Sequence, residues 1–158
     1  MKPIRSALLA LSACALASAP TSAEEGQQGM TAASIPWQRA APDGTKFSLL
    51  EGARDQPGMP FTYAFFIPAG TWDAPHWHST SARVFVAQGT LRIGYGNTLD
   101  RQAAMAYPAG SFVLVPAGAV HFDGADEDTI IYGVATGAWS TTYLDNSRPA
   151  SAGTPLSR

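Results

Sequence analysis

Apolar positions along this chain come in short bursts, not in helical stripes. Seven segments of four to seven residues (47–50, 61–67, 83–87, 91–95, 111–115, 130–135 and 141–144) are rich in β-branched and aromatic side chains. Stretches containing glycine or proline separate them, and such segments predict β-strands. Only 98–105 shows any helical character, and it predicts a turn or two at most. Pro-Ala-Gly recurs at 68–70, 108–110 and 116–118, each time after an apolar run. Proline presets φ for a turn and glycine suits its last position, so these triplets are turn signals. Many short strands with regular punctuation predict an all-β sandwich or barrel.

The ends of the chain read differently. Lys2 and Arg5 precede an Ala-, Leu- and Ser-rich stretch that ends in small residues, which predicts a secretory signal peptide over residues 1–23, cut after Ala23. The stretch is too short and alanine-rich to span a membrane, and no later segment is apolar enough to do so. Cys14, the one cysteine, lies in Leu11-Ser12-Ala13-Cys14, a string that resembles a lipobox. The expected location is therefore the periplasm or the exterior, with a lipid anchor through Cys14 as the alternative. Residues 24–35 are small and polar and suggest a flexible lead-in. Residues 146–158, with two prolines and a glycine, suggest a disordered tail. Residues 36–145 remain for a single domain with one core of moderate size.

Without Lys2 and Arg5, the 10 basic residues fall to 8, against 12 acidic ones, a formal charge of −4. No basic stripe exists, which argues against nucleic acid as a partner. Asp126-Glu127-Asp128 reads as a solvated turn. With no cysteine after the leader, a metal site must use nitrogen and oxygen ligands.

There are three histidines, His76, His78 and His121. On an extended strand residues two apart share a face, so His76 and His78 present two imidazoles side by side. A third from a neighbouring strand completes a three-nitrogen face that suits a divalent transition metal and leaves coordination positions open. Asp123 would share the face of His121 on a continuing strand, as a fourth ligand, an orienting partner or a general base; equally, Asp123-Gly124 could begin a turn. Asp73 is a weaker candidate for the same roles. Arg83 and Arg92 fall on predicted strands with an outward default, and either would suit a substrate carboxylate if turned inward. The sequence does not say which of its many aromatic residues line a pocket.

These residues stand in two ordered motifs that resemble those of the cupin superfamily. Gly70, five residues, His76-Trp77-His78, three residues, Ala82 and Gly89 follow the first motif; Gly110, five residues, Pro116-Ala117-Gly118, two residues and His121 follow the second. The resemblance spans residues 70–121 and implies a cupin-type jelly-roll β-barrel, built as a single domain. It departs where the motif glutamate is replaced by Ala82 and the motif asparagine by Ala125. What it implies is a three-histidine site for a divalent transition metal (Fe, Zn, Mn or Ni), and a small-molecule ligand or substrate. Neutral ligands leave the ion a strong Lewis acid that attracts carboxylates or enolates. Three-histidine dioxygenases are similar to this pattern. An isomerase or lyase acting on a sugar or uronate, and a non-catalytic binding protein, are the alternatives. Small cupins also suggest a homodimer formed through exposed sheet edges.

Overall fold

The computed structural model describes residues 29–144. Eleven strands follow in order: β1 (Arg39–Ala40), β2 (Lys46–Gly52), β3 (Pro60–Ile67), β4 (Trp72–His78), β5 (Ala82–Gln88), β6 (Thr90–Tyr95), β7 (Met105–Pro108), β8 (Phe112–Val115), β9 (His121–Gly124), β10 (Thr129–Thr136) and β11 (Thr141–Tyr143). They form two antiparallel sheets, ordered β1-β2-β3-β10-β5-β8 and β11-β4-β9-β6-β7. The fold is the all-β jelly roll, with the two sheets facing each other and, among the described residues, no strand pairing that closes them into a continuous barrel.

Alternation along the strands builds the core. On β5, Ala82, Val84 and Val86 are buried, while Arg83 and Phe85 point out; on β8, Val113 and Val115 are buried against outward Phe112 and Leu114. Leu91 and Ile93 of the second sheet, with Ala125 just past β9, meet Ile67, Val84 and Ile131 of the first in one cluster, which holds the sheets together. The motif glycines have a conformational cause: Gly70, Gly89, Gly110 and Gly118 all lie at positive φ, between 72° and 88°. Tight reversals there bring the motif strands into register.

Each of the seven predicted segments overlaps a strand. Residues 98–105 are no helix: Asp100 closes a turn by accepting from Gln102 and Ala103 N–H, and β7 starts at Met105. Asp123-Gly124 is no turn either, since both pair within β9 with β4 and β6. Arg83 is exposed, and Arg92 turns to Asp126 at 2.7 Å, so neither serves the interior. Asp128 accepts from the Ala69 N–H, so the acidic cluster is bonded at two of its three members. Within the expected lead-in, Ala32–Ser34 form a 3-10 turn and Ile35 is buried against Ala64 and Ile130. The expected leader (residues 1–23) and tail (residues 146–158) lie outside the described residues. No helix among the described residues is long and apolar enough to cross a membrane.

Candidate metal centre and its cavity

Strand β4 lies between β9 and β11, and each neighbour contributes to what β4 displays. His76 pairs with His121 on β9 and with Tyr143 on β11, and His78 pairs with Thr141. The His76 and His121 rings are 4.3 Å apart centre to centre, His76 and His78 4.9 Å, and His78 and His121 5.0 Å. One nitrogen from each lies within 4.8 Å of the others, a group that could hold a metal ion. His76 and His121 are each 2% exposed.

The outer nitrogens are all engaged. His76 Nδ1 is 2.7 Å from the Ala74 carbonyl and His121 Nδ1 is 2.9 Å from the Ala119 carbonyl. A carbonyl only accepts, so both Nδ1 atoms carry the proton and both Nε2 lone pairs are left for another partner. His78 Nδ1 meets the Thr141 hydroxyl at 3.0 Å. Burial first, then the charges of His76 and His121, depress His78 to about 2, so its imidazole is neutral. Burial also lowers His121, although Asp123 opposes it. Three imidazoles with anchored outer nitrogens are a donor set that fits a divalent transition metal.

Two carboxylates stand beside this face. Asp123 Oδ2 is 3.8 Å from Nε2 of both His76 and His121, beyond hydrogen-bond range of either. Asp73 pairs with Asp123 across β4 and β9 and accepts the Tyr143 hydroxyl at 2.9 Å. Burial, then repulsion from Asp123, raises Asp73 to about 6. Its other oxygen is buried without a partner. Ala82, at the motif's glutamate position, is 2% exposed and belongs to the opposite sheet. The two acidic groups beside the histidines, Asp73 and Asp123, stand on the sheet that carries the histidines.

The site lies in a cavity of about 760 Å³, within the range of small-molecule sites. Phe47, Phe61, Tyr63, Phe65 and Ile131 line it from the six-stranded sheet, and Trp139 stacks on His78 at 4.2 Å. Gly133 makes room for Tyr63, because a Cβ there would overlap the phenol ring. Thr141, Tyr143 and Trp139 are site residues that the pattern of the sequence did not single out. Thr141 and Tyr143 share a strand face two residues apart, which is a usable signal once β11 is placed beside β4.

A jelly roll with three imidazoles converging in its interior defines a cupin. More narrowly, the chain belongs to the ChrR cupin-like domain family, whose sequence profile matches residues 25–140. Among solved structures it is similar to the polyketide cyclase RemF from Streptomyces resistomycificus, with a TM-score of 0.60 and 14% identity over 77% of this chain and 87% of that one. An RmlC-like cupin from Shewanella frigidimarina aligns with a TM-score of 0.55 and 14% identity over 71% of this chain and 92% of that one. KdgF from Halomonas sp. aligns with a TM-score of 0.50 and 17% identity over 63% and 85%. At such identities the likeness is one of fold. A search of curated proteins gave no match.

Proposed function

We propose that this cupin is an exported metalloenzyme acting on a small organic molecule, with a divalent transition metal held by His76, His78 and His121 and used in a dioxygenase-like way. One observation carries the reading: three imidazoles, each with its outer nitrogen engaged, bring one nitrogen each within 4.8 Å of the others in an aromatic-walled cavity. Bound there, iron would supply dioxygen activation, and zinc, manganese or nickel Lewis acidity. The chain supplies the rest. Phe47, Phe61 and Trp139 exclude water and seat a flat apolar body, and Asp123 stands where it can accept a proton from a bound molecule.

The Asp73–Asp123 pair favours a second reading. Two adjacent carboxylates, one raised to about 6 and bonded to a phenol, suit proton transfer in an isomerase or lyase, with no need for dioxygen. One preparation separates the two readings. Untagged protein from the periplasm is assayed for metal and for oxygen uptake with diketones, thiols and phenols. Bound iron with substrate-dependent uptake is expected; bound zinc without uptake moves the assignment to proton transfer. Folded protein that takes up none of the four metals ends both. His121→Ala should lose the metal at least about a hundredfold while keeping its strand content by circular dichroism, and full metal retention would refute the ligand set. Export is tested on the same sample by mass: a chain beginning at Glu24 is expected, and a lipid on Cys14 would redirect it to the membrane surface.

A further inference from the structure

The cavity has a second pole. Arg54 lies in the segment between β2 and β3 and lines the same cavity as the three histidines. Its carbonyl accepts the Trp139 N–H at 3.0 Å, which ties its backbone to the residue stacked on His78. Its guanidinium lies over the Phe47 ring, 5.5 Å from the centroid. It makes no ion pair with any described residue, including its neighbour Asp55, which lines the same rim.

A half-buried arginine normally finds a carboxylate, because desolvating its charge without one is costly. Here the stacking on Phe47 covers one face of the guanidinium and leaves the N–H edge available. The two poles are electrostatically in touch across the aromatic wall. Tyr63 senses Arg54 on one side and Asp123 on the other.

We infer that Arg54 is the anchor for a carboxylate on a flat aromatic or conjugated molecule, gripping that end at the rim while Phe47, Tyr63 and Trp139 hold the body with its far end against the three-histidine face. An arginine fork matches two carboxylate oxygens, and the aromatic rings between the poles match a planar body. A neutral molecule of the same shape would leave Arg54 uncompensated, so the site selects for charge as well as flatness. The inference names the substrate class for the metalloenzyme reading and rests on it for what happens at the far end, but the anchor itself requires no metal.

The test uses 2-naphthoate and its neutral analogue 2-naphthamide as probes, titrated into metal-free and zinc-loaded protein by calorimetry and tryptophan fluorescence. Naphthoate should bind about ten- to a hundredfold more tightly than naphthamide in both forms. Arg54→Met should remove that preference while naphthamide still binds, no more weakly than to the parent protein, which also reports an intact cavity, and Arg54→Lys should keep part of it. Equal binding of the two probes, absence of binding by either, or a preference unaffected by Arg54→Met would each overturn the proposal. A preference seen only with zinc and insensitive to Arg54 would mean that the carboxylate goes to the metal, which also overturns the anchor. Failure to load zinc with the naphthoate preference intact would instead refute the metal reading and leave the anchor standing.

Discussion

Thr141 does for His78 what backbone carbonyls do for His76 and His121, and a side chain can be exchanged where a carbonyl cannot. Thr141→Val keeps the shape and removes the hydroxyl, so it should weaken metal affinity about ten- to a hundredfold. Competition against a chelator measures this, and unchanged affinity would show that β4 alone orients the ring. The same histidines set how the metal-free fold responds to acid. His78, with a native value near 2, and His121, also lowered, take up protons on unfolding below their unfolded value of 6.5. Their contribution is complete above 6.5 and is lost as pH falls. Asp73 works the other way: raised from 3.8 to about 6, it gives up a proton on unfolding between those values. The two histidines outweigh the one carboxylate, so stability should fall on acidification from 6.5, by under about 1.4 kcal/mol per pH unit. Urea midpoints of chelator-treated protein across that range check the sign. His78→Phe should flatten the profile, and a midpoint that rises toward acid would show that Asp73 dominates.

At the scale of elements, β4 and β9 are two of the four strands that the hydrophobic pattern did not mark, and they carry the three histidines. β4 (Trp72–His78) holds an aspartate, a proline and two histidines where a strand is expected to show β-branched residues; Pro75 falls where the pairing with β9 shifts register. β9 (His121–Gly124) ends in Asp-Gly, the same pair that opens turns elsewhere. Chemistry has displaced propensity at these positions, which is where local reading is expected to fail. The other strands of the two sheets follow the alternation that reveals them, apart from β1 and β7, which are short and edge-placed. The histidine trio was legible from its spacing and from the glycines around it. Arg54 was not, because its placement depends on a loop folding back over Phe47. Between its two functional residues β9 carries Phe122, 1% exposed, whose ring lies so close to Gly94 that a Cβ there would overlap it. Phe122→Ala should cost about 3–5 kcal/mol in chemical denaturation and weaken metal binding as well, since His121 and Asp123 ride on the same strand. Loss of stability with unchanged metal affinity would show that the site is held by β4 and β11 alone.

On the scale of the whole molecule, the six-stranded sheet ends at β8, whose outward Phe112 and Leu114 are 54% and 48% exposed beside Phe85 at 46%. An edge strand with an apolar outer face and no charge on it invites pairing with a second copy. A dimer is therefore expected in solution, and Phe112→Glu combined with Leu114→Glu should make it monomeric by light scattering; a monomeric parent protein would dispose of the expectation. The two sheets also divide the cavity between them. The three histidines, Asp73 and Asp123 stand on the five-stranded sheet, with Tyr143 on its β11 edge, while the six-stranded sheet contributes a mainly aromatic and aliphatic wall, with Arg39 and Lys46 at its β1–β2 end. On the proposed metalloenzyme reading, reaction and substrate range are thus written on separate surfaces. On that reading, directed evolution can recut Phe47, Phe61, Phe65 and Ile131 to admit new molecules without disturbing the three-histidine face, so that what enters the cavity is tuned apart from what happens to it.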